Sequence, residues 1–380
     1  MNKSSIEDAL DRSRHPIARE RWALLELCVV RRGTAFAICA IAWYGVVTTR
    51  PAGAQAPAAA VRVQRLLDRP IVTPQLDASL GPNIQGPSLI RVPDWVARRL
   101  GKYYLYFADH KGRYIRLAYA DDLVGPWRVH AAGSLQLAGS YLLTEPPSGP
   151  AEELARLRAT PQPANLSHDA FTEATTPHIA SPDVHVDEAN RRLVMYYHGL
   201  NALGQQVTRA ATSEDGIRFV ARPEILGRTY FRAFQHGGYT YAMAMPGQFY
   251  RSKDPLSGFE PGPLLFNPNM RHAALLVRGG TLFVFWTQVG HAPETIMLST
   301  IALTGDWMNW SASQPVELLR PERAWEGADA PVAPSVRSTA YGQVNQLRDP
   351  AVFEEDGRTF LLYAVAGESG IAIAEVKFER

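Results

Sequence analysis

A sequence pattern that predicts three short apolar strands, here called a phrase, recurs five times along the chain. Each copy opens with an extended apolar stretch, turns at Gly or acidic residues into an aromatic-rich strand, and ends in a strand of small and apolar residues. The copies begin at Asn83, Ser181, Tyr230, Met270 and Arg348. Repeats of about 40 to 90 residues that each form a small antiparallel sheet are typical of propellers. The pattern therefore predicts an all-β fold, a five-bladed β-propeller.

The turns within the copies support antiparallel hairpins. Gly237-Gly238, Gly279-Gly280 and Asp356-Gly357 stand between the first two strands of their copies, and such pairs favour tight hairpin turns. A β-sandwich would have similar strand spacing, but the recurrence of one phrase favours the propeller. The one helical pattern, residues 151–158, predicts a surface insert or a lid.

The first 54 residues differ in pattern from the rest. Residues 34–47 form an apolar run of 14 residues, with Arg31 and Arg32 before it and the small-x-small sequence of residues 52–54 after it. A membrane-spanning helix needs about 20 residues, and the three-part arrangement indicates a secretory signal. We predict a signal peptide or N-terminal membrane anchor over residues 1–54, a linker over 55–79 and the propeller domain over 80–380. The expected location is extracytoplasmic, periplasmic or secreted, with membrane association only if the leader is uncleaved.

Charge and composition exclude several classes of function. The net charge of the 380 residues is +2, and the leader holds 8 basic against 5 acidic residues, which leaves the remainder at −1. Without a basic stripe, we expect no nucleic-acid partner. Both cysteines, Cys28 and Cys39, lie in the leader, so the body has no Cys-based zinc site. No phosphate loop, dinucleotide-binding motif, nucleophile elbow or cluster of ligand spacing occurs, and we predict no cofactor and no metal.

The strand topology of a propeller places polar residues from different blades on one face of the molecule. The first strand of each blade lies nearest the axis, so the starts of first strands, the ends of second strands and the loops leading into the blades share one face. Side chains there are able to hydrogen-bond a sugar. The predicted substrate-binding residues are Asp109, His110, Lys111, His178, His198, Arg232, Arg271, His272, Gln288, Arg348 and Glu368.

Three carboxylates are candidates for acid and base chemistry. Glycoside hydrolysis uses two carboxyl groups, about 5 to 5.5 Å or 6.5 to 9.5 Å apart. Asp183 follows Pro182 and Asp349 precedes Pro350, so equivalent prolines would set the two Asp side chains on the same side of their strands. We predict Asp183 as base or tuning residue, Asp349 as base or ring-hydroxyl ligand, and Glu326 as the acid.

Purely structural roles for the same carboxylates stay open. An Asp beside a Pro at a strand start also caps a turn, and Glu326 lies in a Gly/Pro-rich loop where it would be a solvated charge. In that case His178 or His110 could serve as the acid, because histidine donates a proton near neutral pH.

The strand sequences resemble a known group of enzymes. The stretch 356–363 (DGRTFLLY) is similar to a recurring strand pair of glycoside hydrolase family 43, and 118–127 (AYADDLVGPW) is similar to its third-strand phrase. The strand starts at 348–352 and 181–184 also resemble this group, which includes families 32 and 117. The resemblance covers residues 80–380 and implies a five-bladed propeller that hydrolyses glycosidic bonds.

The resemblance implies a catalytic triad that this sequence does not keep whole. Family 43 carries a base Asp on the first blade, a pKa-tuning Asp on the second and an acid Glu on the third. Here Gly86 stands at the first position, Asp183 keeps the second, and the third blade offers Arg232. Either the catalytic pair has moved or hydrolysis has been lost.

Three functional hypotheses follow. The leading one is an exported glycoside hydrolase acting on a polysaccharide or oligosaccharide; the rim residues Arg232, Arg271, His272 and Arg348 favour an anionic sugar. The alternative is a non-catalytic carbohydrate-binding propeller. A protein-interaction scaffold is disfavoured by the polar rim, because protein interfaces use exposed apolar anchors.

Overall fold

The computed structural model describes residues 61–162 and 167–379. They form five four-stranded antiparallel sheets, and the predicted five-bladed β-propeller is confirmed. The predicted leader, residues 1–54, lies outside the described residues. Within the described ranges, no helix has the length and apolar character needed to cross a membrane.

Each blade runs from an inner strand to an outer strand in chain order, except that the last blade takes its outer strand from the N-terminal side. Blade 1 consists of β2 (Gln85–Arg91), β3 (Tyr103–Ala108), β4 (Tyr114–Ala120) and β5 (Arg128–Gln136). Blade 2 consists of β6 (Ile179–Asp187), β7 (Arg192–Ala202), β8 (Gln205–Ser213) and β9 (Val220–Ala221). Blade 3 consists of β10 (Arg232–His236), β11 (Tyr239–Ala244), β12 (Gln248–Ser252) and β13 (Glu260–Leu264). Blade 4 consists of β14 (Met270–Arg278), β15 (Thr281–Gln288), β16 (Ile296–Ala302) and β17 (Val316–Leu319). Blade 5 consists of β18 (Arg348–Glu355), β19 (Arg358–Ala364), β20 (Ile371–Phe378) and β1 (Val61–Arg65).

Strand β1 corrects the predicted linker. Residues 55–79 were expected to precede the propeller, yet Val61–Arg65 pairs antiparallel with β20, with Val61 opposite Phe378. Its first four residues, VRVQ, alternate apolar and polar, and its side chains alternate between half-buried and exposed. That period of two fits an outer strand with one covered face. Residues 61–65 are therefore part of the propeller.

Two helices lie between blades 1 and 2. Helix α1 (Ala151–Ala159) extends the predicted segment by one residue and has no buried residue. Helix α2 (Ala170–Thr175), which the sequence pattern did not predict, begins after Asp169, whose carboxylate accepts a hydrogen bond from the Thr172 amide at 2.8 Å. This cap satisfies an amide that the helix itself leaves unpaired.

The aromatic second strands pack between neighbouring blades. In β3 every residue is buried. Tyr104 and Tyr106 pack in a cluster with blade 2, whereas Tyr103, Leu105 and Phe107 pack in a cluster with blade 5. Burying each large side chain contributes about 1.5 to 3 kcal/mol. Both faces of the strand are therefore apolar, as a sheet covered on two sides requires.

The inner strands are irregular at one shared level near the axis. In four blades the register between first and second strands shifts by a bulge, between residues 85 and 88, 180 and 183, 270 and 273, and 348 and 351. Residues at this level have positive φ angles of 64° at Gly86, 50° at Ser181, 65° at Tyr230 and 48° at Asp349. Bulges redirect side chains and are frequent beside active sites.

Candidate functional site

Tyr230 and Asp349 meet at this irregular level. The Tyr230 hydroxyl donates a hydrogen bond to Oδ1 of Asp349 at 2.8 Å, which joins blade 3 to blade 5. Both residues have positive φ angles. Such backbone costs of order 1 to 3 kcal/mol for a residue other than glycine, and it tends to occur at functional sites. The pair therefore indicates a functional site at the axis of the propeller.

The Asp349 carboxyl combines burial with an unpaired oxygen. Its side chain is 0% exposed, and Oδ2 has no hydrogen-bond partner among the described residues. Burial, together with the negative charge of Glu368, raises the pKa of Asp349 to about 6, although the bond from Tyr230 opposes the shift. A carboxyl with such a pKa exchanges a proton near neutral pH, as a general acid or base must.

Glu368 is a fixed negative charge beside Asp349. Its carboxylate accepts hydrogen bonds from Arg348 Nη1 at 2.9 Å, His110 Nδ1 at 3.1 Å and Asn83 Nδ2 at 2.7 Å. Burial acts to raise the pKa of Glu368, but His110, Arg348 and Asn83 outweigh burial and hold that pKa at about 2. Glu368 is therefore ionised and fully paired, which suits an electrostatic role and leaves no free oxygen for a reaction.

Two neutral histidines contact Tyr230, and a third lies behind one of them. The His272 ring stacks on Tyr230 with centroids 5.0 Å apart, and its Nδ1 accepts from the Asp349 amide at 3.3 Å. His198 lies 6.0 Å from Tyr230 and 6.4 Å from His178 between ring centroids. Burial lowers the pKa of His178 to about 4 and holds the pKa values of His198 and His272 well below the usual value. All three rings are therefore uncharged at neutral pH.

Arg232 lies next to Tyr230 and bonds to both neighbouring blades. Its Nε donates to the Ala273 carbonyl of blade 4 at 3.0 Å, and its Nη1 donates to the Pro182 carbonyl of blade 2 at 2.7 Å. The guanidinium carbon lies 4.3 Å from the centre of the Tyr230 ring. These contacts link three blades and place a cation against the aromatic face, an arrangement that stabilises both groups.

Unpaired polar atoms gather around Tyr230. Asp349 Oδ2, His198 Nδ1 and Arg232 Nη2 are all buried and lack a hydrogen-bond partner among the described residues. Leaving a buried polar atom unpaired costs about 1 to 3 kcal/mol, so nearly all such atoms find a partner. A carboxyl, an imidazole and a guanidinium group can between them donate and accept hydrogen bonds, which suits a polyhydroxyl ligand such as a sugar.

Arg271 and Arg348 were both predicted to bind substrate. Their guanidinium groups instead form ion pairs and hydrogen bonds within the protein. Arg271 forms a bidentate ion pair with Glu294 and donates to the Val336 carbonyl at 3.0 Å. Arg348 pairs with Glu368 and donates to the Ser338 carbonyl at 3.1 Å. The two guanidinium groups therefore fix residues 336–338 beside the site.

The helical insert is linked to the same segment. Lys111 Nζ lies 3.0 Å from Glu173 Oε1, and the Ser338 hydroxyl donates to Glu173 Oε2 at 2.8 Å. His168 Nε2 is 3.2 Å from the Thr339 hydroxyl. These contacts join α2 and the residues before it to residues 338–339, next to His110 and Lys111.

Asp183 and Asp349 share no hydrogen-bond partner among the described residues. Asp183 accepts hydrogen bonds from His185 Nε2 at 2.7 Å and from the Ala233 amide at 2.8 Å, and it lines a chamber of about 300 Å³ on the axis. Its Oδ1 is 3.9 Å from Arg232 Nη1. Asp349 lies within its bulge, whereas Asp183 is the first paired residue after the corresponding bulge, so the two residues occupy different positions in their strands.

Glu326 does not belong to the cluster around Tyr230, which comprises Tyr230, Asp349, His198 and Arg232. Its carboxylate accepts from Arg65 Nε at 2.7 Å, Arg65 Nη2 at 2.8 Å and the Tyr363 hydroxyl at 3.0 Å. The amides of Glu322 and Arg323 also donate to it, and the side chain is 0% exposed. The sequence prediction placed an acid on a loop over the ligand, whereas the structure shows a buried ion pair that anchors β1.

Two further predicted residues, Asp109 and Gln288, bond to residues outside the cluster around Tyr230. Asp109 accepts from the Lys111 amide at 2.9 Å at the margin. Gln288 is bonded to Asn267 and His291, away from Asp349. Tyr230 was not predicted as a site residue, although its position at the start of the third copy matches that of Asp349 in the fifth. In residues 61–162 and 167–379, no group of three His, Cys, Asp or Glu side chains is arranged to hold a metal ion.

Comparison with known sequences identifies a family. No family model matches the chain. It is 36% identical over 320 residues to "Uncharacterized protein R118" of Acanthamoeba polyphaga mimivirus, and the matched region spans 77% of this chain and 83% of that protein. The chain therefore belongs to the same family as this mimivirus protein.

Comparison with solved structures identifies the fold. A structure from the GH130 family of mannoside phosphorylases, which contains glycoside hydrolases that target β-1,2 mannosidic linkages in Candida mannan, is 12% identical with a TM-score of 0.52 over 82% of this chain and 93% of that one. A thermostable family-43 glycoside hydrolase is 14% identical with a TM-score of 0.48 over 77% and 88%. The structural neighbours are thus five-bladed propeller glycosidases, and at these identities the likeness concerns the fold.

Proposed function

We propose that this protein is a glycoside hydrolase that binds an oligosaccharide or polysaccharide around Tyr230 and uses Asp349 as its proton donor. The observation that carries the proposal is the Asp349 carboxyl, which is buried, has an unpaired Oδ2 and has a pKa raised to about 6. The fold shared with propeller glycosidases supports the same class of reaction.

The contacts give each residue a role in this proposal. Protonated Asp349 donates from Oδ2 to the glycosidic oxygen, while Tyr230 holds Oδ1 in place. Burial and, after it, the charge of Glu368 keep the Asp349 pKa raised to about 6, so the proton is available near neutral pH. His198, neutral and with an unpaired Nδ1, is the group able to accept a proton from an attacking water. General acid and base catalysis each contribute about 10² to 10⁴ in rate.

We propose a neutral sugar as the ligand, rather than the anionic one that the rim arginines favoured. Arg271 and Arg348 are neutralised by Glu294 and Glu368, and Lys111 is paired with Glu173. The three histidines are uncharged for the reasons given above. The cluster therefore offers hydrogen bonds to a ligand and little unpaired positive charge beyond Arg232.

Export is also a proposal. It rests on the three-part sequence of residues 1–54, with its basic, apolar and small-residue segments. A tagged full-length protein found in the culture medium or periplasm would support export, and one retained in the cytoplasm would contradict it.

The test of the hydrolase proposal is a panel of oligosaccharides and polysaccharides incubated with residues 55–380 of wild type, Asp349→Asn and Asp183→Asn. Cleavage by wild type that falls at least 100-fold in Asp349→Asn supports the proposal. The exposed residue Asp68 provides a matched control in Asp68→Asn, which should cleave as wild type does. Loss of cleavage in Asp183→Asn with full activity in Asp349→Asn would contradict the assignment.

A non-catalytic carbohydrate-binding propeller is the second candidate. Gly86 stands where the resemblance implies a base, and Asp349 is the one carboxyl of the cluster among the described residues with a buried unpaired oxygen. A wild-type protein that binds a glycan of the panel without cleaving it would favour this function.

A further inference from the structure

The cluster around Tyr230 is closed to solvent. Tyr230 and Arg232 are both 3% exposed, His198 is 8% exposed and Asp349 is 0% exposed. A sugar ring is far larger than a water molecule, so it cannot touch Asp349 Oδ2 while the surrounding residues keep their positions. The proposed function therefore requires a part of the protein to move when a glycan binds.

Residues 336–338 are an anchored neighbour of the cluster. Arg271 and Arg348 donate to carbonyl groups of this segment at 3.0 Å and 3.1 Å. Both guanidinium groups are also paired with carboxylates that are 0% exposed, those of Glu294 and Glu368. Moving the segment would leave two buried guanidinium groups short of an acceptor, and an unpaired buried donor is costly. This segment is therefore expected to stay in place.

The helical insert is held more weakly. Its described parts are residues 151–162 and 167–176. Helix α1 has no buried residue, and helix α2 buries Ala174 and Thr175 alone. Segments with few buried apolar contacts open at a low cost in free energy. The insert is therefore the neighbour best suited to move.

The insert leads directly to the surroundings of the cluster at His178. The His178 Nδ1 lies 2.8 Å from the carbonyl oxygen of Thr176, and the His178 ring lies 6.4 Å from the His198 ring between centroids. His198 is in turn 6.0 Å from the Tyr230 ring. Two aromatic contacts therefore connect the end of the insert to Tyr230.

Glu173 of α2 completes a ring of contacts that reaches the residue next to Asp349. The six members are joined by hydrogen bonds or ion pairs, except that two of them are consecutive in the chain. In order, they are Glu173, Lys111, His110, Glu368, Arg348 and Ser338. The Glu173 carboxylate contacts Lys111 Nζ at 3.0 Å through Oε1 and accepts from the Ser338 hydroxyl at 2.8 Å through Oε2. Glu173 is therefore the residue through which the insert joins this ring.

The contact between Glu173 and Lys111 is an ion pair that lies close to solvent. Burial acts to raise the pKa of Glu173, but Lys111 outweighs burial and holds that pKa below its usual value, so the carboxylate is ionised. The Lys111 side chain is 9% exposed and that of Glu173 is 25% exposed. A partly exposed pair contributes less than a fully buried one. The pair can therefore hold the insert in place and still release it.

We propose that the insert is a lid over the cluster around Tyr230 and that Glu173 is its latch. The lid opens when Glu173 releases Lys111 and Ser338, and it closes again when both contacts re-form. The inference rests on the proposed function, because it describes how a glycan reaches the same site.

Chemical modification tests the lid without any glycan. Diethyl pyrocarbonate acylates accessible neutral imidazole nitrogens, and mass spectrometry measures its rate at His198 in the full chain. We expect Glu173→Gln to raise that rate about fivefold, because the latch loses its charge. Glu153→Gln is the matched control, since Glu153 forms an exposed ion pair within α1, and His130, which lines a different cavity, is the internal standard. An unchanged rate at His198 in Glu173→Gln, or an equal rise at His130, would overturn the inference.

A reversible cross-link tests whether glycan binding requires the lid to open. In the full chain with Cys28→Ser and Cys39→Ser, the substitutions Glu173→Cys and Ser338→Cys introduce the only two thiols. A short bifunctional methanethiosulfonate joins them through two disulfides, and dithiothreitol reverses the reaction. We expect the cross-linked protein to bind an oligosaccharide at least tenfold more weakly than the reduced protein in isothermal titration.

The cross-link separates the lid from the proposed function. Ser338→Cys alone, treated with the same reagent, is the control and should bind equally before and after reduction. Equal binding by the cross-linked and reduced proteins would overturn the lid and leave the proposed function standing. Failure of every glycan to bind wild type would contradict the proposed function, and the modification rates at His198 would then decide on the lid by themselves.

Discussion

The Tyr230 hydroxyl donates to Oδ1 of Asp349 at 2.8 Å, and both residues have left-handed backbone, with φ angles of 65° and 48°. Two strained residues from blades 3 and 5 thus hold each other across the axis. The bond occupies one oxygen of the carboxyl and leaves Oδ2 for a ligand. The pKa of Asp349 therefore depends on identifiable neighbours.

Replacing Tyr230 should move the pH dependence of activity upwards. The bond from Tyr230 lowers the pKa of Asp349, so Tyr230→Phe removes that influence and raises the pKa above about 6. Since the proton donor must be protonated, the alkaline limb of kcat/KM should shift to higher pH. A pH–rate profile measures the shift, and a limb that moves to lower pH would contradict the assignment of Asp349 as the acid.

Neutralising Glu368 should have the opposite effect. Burial is the largest cause of the raised Asp349 pKa and the charge of Glu368 is the next, so Glu368→Gln lowers that pKa. The alkaline limb of kcat/KM should then move to lower pH. Comparison with Tyr230→Phe in the same assay supplies the control, because generic damage to the site would not shift the two profiles in opposite directions.

The raised pKa of Asp349 should appear in stability. A carboxyl with a folded pKa of about 6, against 3.8 as its ordinary value, binds more protons in the folded protein between these pH values. Stability from this group is therefore present at pH 4 and is lost as pH rises through 6, by up to about 3 kcal/mol. Asp349→Asn removes this dependence. Denaturant unfolding of both proteins at pH 4 and pH 7 measures it, and a pH-independent difference between them would refute it.

Glu326 should prove important for stability and dispensable for activity. Glu326→Gln leaves Arg65 without its buried partner, and breaking a buried pair costs about 3 to 5 kcal/mol. The exposed pair Arg320–Glu317 offers the control, since Glu317→Gln should cost at most about 1 kcal/mol. Thermal unfolding and specific activity of the folded fraction separate the two roles. Loss of activity without loss of stability would restore Glu326 as a catalytic candidate.

The missing carboxylate of blade 1 has a steric explanation. A Cβ added at Gly86, where φ is +64°, would lie 2.9 Å from the Ser181 Cα. Gly86→Ala should therefore cost both backbone strain, about 1 to 2 kcal/mol, and overpacking, about 1 to 3 kcal/mol. Gly279, with φ at +53° and no atom within 4 Å of such a Cβ, carries the strain alone. Equal destabilisation of Gly86→Ala and Gly279→Ala in denaturant unfolding would refute the clash.

The sequence predicted the fold because the same local strand pattern occurs five times along the chain. It could not predict the pairings. Arg65 and Glu326 are 261 residues apart and Tyr230 and Asp349 are 119 apart. The bulges in the inner strands also left no sequence signal, and one inserted residue cancels a parity argument. The local residue pattern determines where strands form, whereas the functional site depends on contacts between residues of different blades.

Strand β1 pairs with β20, so Val61 lies opposite Phe378 and the first and last strands are hydrogen-bonded neighbours. The described chain therefore closes into a ring of blades, and the closure consists of the β1–β20 hydrogen bonds and the Arg65–Glu326 ion pair. A short peptide joining the two ends would permit circular permutation, with new termini at the open Gly279-Gly280 hairpin. Such a permutant would retain every blade while moving both termini away from the closure.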